Sequence, residues 1–190
     1  NQNCEVFTQE IDEFVQKENL KKLKKIDGLL FGFPCNDFSL VGKNKKLKGK
    51  YGGLYKRACD ALEYLKPNFF VAENVTSIGK KFKTEKEHRR EAQKNHLAST
   101  NYKNFKQIMG DLANCTKYGY RIYADNYKFE EYGVPQTRHR MILVGFRDDF
   151  FTKNKINFER MEKSNEPAVT CKKALEKIPK WAKNQEETRH

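Results

Sequence analysis

At 190 residues the chain is long enough for one domain with a real core and hardly for two. Lys and Arg number 38 against 25 Asp and Glu, giving a net charge of +13 and a pI near 9.4, which points to a polyanionic partner, nucleic acid above all. No run approaches the roughly 18 apolar residues of a membrane span, and no signal-peptide pattern opens the chain, so the expectation is a cytoplasmic protein without a membrane partner.

The first element is IDGLLF (26–31), a short apolar run of buried-strand type. It leads into GFPCNDFS, where Cys35 follows Pro34 at the point where strand gives way to loop. Such strand ends are the usual site of reactive side chains in an open α/β sheet. SLVGKNKKLKGKYGG (39–53) follows, a loop with five lysines and four glycines. Apolar positions Leu54, Ala58, Ala61, Leu62 and Leu65 then repeat at helical spacing until Pro67 stops them. NFFVA (68–72) is the next strand, apolar on both faces as a central parallel strand should be, and Glu73-Asn74-Val75 follows directly.

Residues 79–104 are highly charged and predict a solvated helix or a mobile insertion. Phe105, Ile108, Met109 and Leu112 mark a second amphipathic helix, followed by strand-like GYRIYADNY (119–127). GVPQTRHR (133–140) places arginines at alternate positions entering a last strand, RMILVGF (140–146). The alternation of strand and helix predicts an α/β fold, a Rossmann-like parallel sheet covered by helices. Residues 1–150 form that domain, and 151–190, with one short helical pattern in TCKKALEKI, read as an exit segment. The five cysteines are scattered and form no CxxC, so neither a metal site nor a disulfide framework is expected.

The Pro34-Cys35 loop, the Glu73-Asn74-Val75 strand end and the QTRHR turn occur in an order that resembles the DNA cytosine-5 methyltransferases. GFPCNDFS is similar to their Pro-Cys nucleophile loop, ENV to their Glu-Asn-Val motif, and QTRHR to their Gln-x-Arg-x-Arg motif. The similarity runs over roughly residues 10–150. It implies S-adenosyl-L-methionine as cofactor and double-stranded DNA as partner, in an enzyme bacterial in style, of the restriction-modification kind. By the same resemblance Cys35, Glu73, Arg138 and Arg140 are the catalytic candidates. Pro34, Leu54 and either Glu10 or Asp12, the acid for the adenine, are the cofactor contacts. Ser39, Leu40, Val41, Lys43, Lys45, Lys46 and Gln136 are the candidate DNA contacts.

Two departures accompany the resemblance. Asn36 stands where the family usually has Gln, and the family's opening glycine-rich turn is not present. The family's target-recognition region is not present either. The resemblance therefore implies the middle of a catalytic domain, missing the first part of its sheet. Such a piece would be inactive alone and completed by flanking regions or a complementary subunit.

The implied chemistry makes sense of the residue types. A thiolate adding to carbon-6 of cytosine turns carbon-5 into an enamine carbon able to attack a methyl group. Glu73 would hold N3 of the ring if burial keeps it protonated, and the arginines would hold the exocyclic oxygen. The base must first leave the duplex. Lysines 43 to 50 suit phosphate contacts, and Leu40 and Val41 suit a wedge into the vacated space. The alternatives are an RNA-directed enzyme acting on tRNA with the same Cys and Glu, and a catalytically inactive DNA-binding module.

Overall fold

The computed structural model describes residues 4–34, 53–76 and 96–176, with only the backbone described over 96–103. Two single-turn helices, α1 (Ile11–Phe14) and α2 (Lys17–Leu20), precede strand β1 (Gly28–Gly32). Helix α3 (Tyr55–Leu65) leads to β2 (Phe69–Val75), and the long helix α4 (His96–Asn114) to β3 (Tyr120–Lys128). A 3-10 turn (Phe129–Tyr132) then precedes β4 (His139–Arg147), α5 (Asp148–Lys153) and α6 (Cys171–Leu175).

Each expected element is present, with shifted ends. The second strand runs on to Val75, so Glu73 lies inside it rather than after it. The last helix is shorter than TCKKALEKI, and the charged stretch 79–95 lies outside the described residues.

The α/β class stands, but the sheet is mixed rather than all parallel. Its order is β1-β2-β4-β3. β1 and β2 are parallel, whereas β4 runs antiparallel to both of its neighbours, β2 and β3. The physical reason is the short link between β3 and β4. Residues 129–138 are too few for a crossover, which needs roughly a dozen or more, so the chain turns back.

One face of the sheet carries the core. Phe70 and Ala72 from β2, Met141 and Leu143 from β4, and Tyr120 from β3 pack against Tyr55 and Leu62 of α3 and Phe105, Ile108 and Leu112 of α4. The spacing of those helix residues explains why both helices lie on this face, since i, i+3 and i+7 make one stripe. Helix α3 ends at Lys66, whose left-handed φ of 49° reverses the chain before Pro67. The Lys66 carbonyl accepts from Arg147 and the Pro67 carbonyl from the Tyr120 hydroxyl (2.9 Å), so the turn is anchored to β4 and β3. Tyr55 donates to Asp111 (2.5 Å), tying the start of α3 to α4. Burial, with the Asp111 carboxylate beside it, pushes the Tyr55 hydroxyl well above its ordinary pKa.

On the opposite face an aromatic cluster covers one end of the sheet. It consists of Tyr123, Phe146, Phe151 and Phe158, with ring centroids 4.8–6.4 Å apart. At the other side of this face Leu30 of β1 is 72% exposed, so the buried-strand reading of IDGLLF does not hold at Leu30 among the described residues.

Candidate active site

The strand directions decide what meets at the sheet's edge. The carboxyl ends of β1, β2 and β3 lie together, and antiparallel β4 brings its amino end to the same place. Gly32 pairs with Glu73, and Arg140 pairs with Val75 two residues further along β2. In a pleated strand such i, i+2 neighbours share a face. Glu73 therefore stands beside Arg140 on the face opposite the core. A parallel β4 would have put the arginines at the far edge.

The Glu73 carboxylate takes both arginines on one oxygen. Arg140 Nε is ion-paired to Oε1, and Arg138 Nη2 lies 3.6 Å from the same atom. Arg140 is further held by donating through Nη1 to the His139 carbonyl (2.8 Å). His139 points the other way and pairs with Glu130 (2.7 Å). Backbone N–H groups, and after them His139, hold the Glu130 carboxyl below its usual range. The Arg138 carbonyl accepts from the Phe129 N–H (2.9 Å), so the turn before β4 is closed on itself. Gly133, at φ 80°, makes that reversal possible without the strain a side chain would bring.

The side chain of Glu73 is 40% exposed, that of Arg138 41% and that of Arg140 21%. The burial expected around Glu73 is thus not supplied by the described residues. A Cβ on Gly32 would stand 3.8 Å from Glu73 Oε2, so the missing side chain there leaves room beside the carboxylate. Two larger clefts, of about 780 Å³ between α2 and α3 and about 870 Å³ walled by Val134, Ile142 and Phe158, do not include Glu73 in their walls.

Of the cofactor candidates, Asp12 is tied to the start of α3. Arg57, in the first turn of α3, is ion-paired to Asp12 (2.5 Å) and to Asp60 (2.8 Å). The Asp60 and Asp12 carboxylates raise the Arg57 pKa, Asp60 contributing the larger share. This pair fastens α1 beside the amino end of α3, where Leu54 occupies the position before the first helical residue. Glu10 opens α1, exposed, and its carboxylate has no partner among the described residues. Pro34 is half-buried just past the end of β1. Gln136 is exposed in the turn before Arg138. Cys35, Ser39, Leu40, Val41, Lys43, Lys45 and Lys46 lie outside the described residues. Among the described residues no group of three His, Cys, Asp or Glu is placed to hold a metal ion.

Asn74 was quoted in the Glu-Asn-Val motif without a role of its own. It is 2% exposed on the core face of β2, and its amide bonds the Phe33 carbonyl and the Val75 N–H. A signal for it was present: a polar residue in register with the inward-facing Phe70 and Ala72 has to find partners.

The whole chain, residues 1–190, matches the family described as C-5 cytosine-specific DNA methylase. It is 40% identical over 171 residues to the type II methyltransferase M.BbvI of Brevibacillus brevis, covering 90% of this chain and 40% of the relative. To the type II methyltransferase M.NgoFVII of Neisseria gonorrhoeae it is 33% identical, covering 96% of this chain and 46% of the relative. The chain thus spans less than half the length of these relatives. A solved prophage-encoded structure from E. coli, assigned as a DNA modification methyltransferase, superposes with a TM-score of 0.52 at 22% identity over 90% of this chain and 41% of that one, which shows a shared fold. The chain belongs to the C-5 cytosine-specific DNA methylase family.

Proposed function

We propose that the protein containing this chain transfers a methyl group from S-adenosylmethionine to carbon-5 of a flipped-out cytosine in duplex DNA. The carrying observation is the convergence of Glu73, Arg138 and Arg140 at the sheet edge where β1 runs out toward Pro34 and Cys35. Family membership and its relatives, named as type II methyltransferases, support DNA as the substrate.

Each residue has a role that its chemistry suits. The Cys35 thiolate adds to carbon-6, forming a C–S bond and moving charge into the ring. Glu73, covered by the flipped base, donates to N3 or shares a proton with it, and Arg140 with Arg138 supporting holds the exocyclic oxygen. The one-oxygen grip of both arginines leaves Glu73 Oε2, on the Gly32 side, to face the base. S-adenosylmethionine, when bound, supplies the electrophilic methyl group. Loss of the carbon-5 proton and of Cys35 then restores the ring. Arg57 already engages Asp12, so the carboxylate of Glu10, which has no partner among the described residues, is the better acceptor for an adenine amino group, with Pro34 and Leu54 lining the apolar side. Ser39, Lys43, Lys45, Lys46 and Gln136 contact the DNA backbone around the site, and Leu40 and Val41 fill the gap in the stack.

Replacing Cys35 by Ser in the full-length protein is the test. A hydroxyl is far harder to ionise than a thiol, so methyl transfer should fall below detection while DNA affinity changes little. Retained transfer would remove Cys35 from the chemistry.

A further inference from the structure

β1 ends its pairing with β2 at Gly32 opposite Glu73. The next carbonyl, that of Phe33, lies beyond the ladder, and Pro34 has no N–H with which to extend it. Asn74 closes this gap with its side chain. Its Nδ2 donates to the Phe33 carbonyl (3.1 Å) while its Oδ1 accepts from the Val75 N–H (2.8 Å). The bond to Phe33 is buried and that from Val75 part-buried, with Asn74 itself 2% exposed.

Phe33 is held at its other end as well. Its ring is buried with the core cluster, 6.4 Å from the Tyr55 ring and 6.5 Å from that of Phe31. With the Phe33 ring packed, its carbonyl bonded and the Pro34 φ fixed near about −65° by its own ring, little backbone freedom remains before Cys35. We propose that Asn74 is a positioning residue for the reaction. By locking the Phe33 carbonyl to the strand that carries Glu73, it sets the geometry at which β1 delivers the nucleophile to the acid. This rests on the function proposed above and assigns a role within it.

The chemistry demands an amide here. Leu has the shape of Asn but neither donates nor accepts, leaving the Phe33 carbonyl and the Val75 N–H unpaired. Ionised Asp accepts from Val75 but sets an oxygen against the Phe33 oxygen. Protonated Asp restores both bonds, because it has one O–H and one carbonyl. Burial disfavours the ionised form, so an Asp at this interior position takes up that proton more readily than a solvent-exposed one.

The experiment compares full-length wild type, Asn74→Leu and Asn74→Asp in single-turnover methyl transfer, with DNA and S-adenosylmethionine saturating, well below their melting temperatures. Misplacing a reacting group by about 1 Å costs on the order of 10²-fold. Asn74→Leu should therefore slow the step by about that factor at every pH, with DNA affinity within about twofold of wild type. Asn74→Asp should be slow at about pH 8.5 and recover toward the wild-type rate as pH falls to about 6. A wild-type rate in Asn74→Leu overturns the proposal. So does an Asn74→Asp rate whose ratio to wild type ignores pH, which decides the matter alone if the Leu variant does not fold. Wild-type activity that survives Cys35→Ser would instead remove the underlying function. An enzyme silenced by Cys35→Ser yet indifferent to Asn74→Leu removes the Asn74 assignment only.

Discussion

Glu73 makes its ion pairs where they contribute little to folding. All three partners keep at least a fifth of their side-chain surface in solvent, and exposed pairs are worth roughly 0–1 kcal/mol. Two guanidiniums on one carboxylate oxygen therefore serve orientation better than stability. Glu73→Gln keeps the shape and a donor but cannot deliver a proton, so turnover should fall by about 10² to 10⁴, with the melting temperature nearly unchanged. Single-turnover kinetics and a thermal melt check both halves, and a Gln variant at full rate would reduce Glu73 to a strand-end acid. The residue types of this site were legible from the sequence because Pro34-Cys35, Glu73 and the paired arginines each stand next to an apolar run. Asn74 was less legible. Its role depends on which face it takes and on a carbonyl 41 positions away in the chain. Likewise the pairing of Asp12 with Arg57, 45 positions away, is given by no spacing rule.

At the scale of elements, β4 shows where pattern reading stops. An apolar run such as RMILVGF looks the same whichever way the strand points, so its periodicity locates it without orienting it. The direction was still present in the sequence as the shortness of residues 129–138. That reversal is the feature that carries Arg138 and Arg140 to Glu73. The sheet's interior imposes a second condition on β4. Gly145, opposite Phe70, is so close to its ring that an added Cβ would fall 2.2 Å from a ring carbon, and Phe70 is fully buried. The ring is packed in the core, and overpacking of this kind costs about 1–3 kcal/mol. Gly145→Ala is expected to lower the denaturant midpoint accordingly, without altering the slope. An unchanged midpoint would mean that Phe70 repacks at no cost.

Across the whole molecule the excess of positive charge, +13, is the property most directly tied to a polyanionic substrate. Lys43, Lys45 and Lys46 follow the Pro34-Cys35 loop closely in the chain and are assigned here to phosphates. Each phosphate neutralised adds about 0.9 to the slope of log affinity against log salt. Replacing all three by Gln in the full-length protein should flatten that slope by up to about 2.7, the sum for three contacts. Fluorescence anisotropy over a salt series reads it, and an unchanged slope would place these lysines away from the DNA. The most direct measurement of the central claim, that Cys35 attacks carbon-6 of a flipped cytosine, is covalent capture. Fluorine at carbon-5 blocks the proton loss that releases the thiol, so a duplex carrying 5-fluorocytosine at the target should leave the full-length protein bonded to DNA when S-adenosylmethionine is present. Peptide mapping by mass spectrometry should find the adduct on Cys35, and Cys35→Ser should form none. An adduct on another residue, or no adduct from a protein that methylates ordinary duplex, would contradict the account.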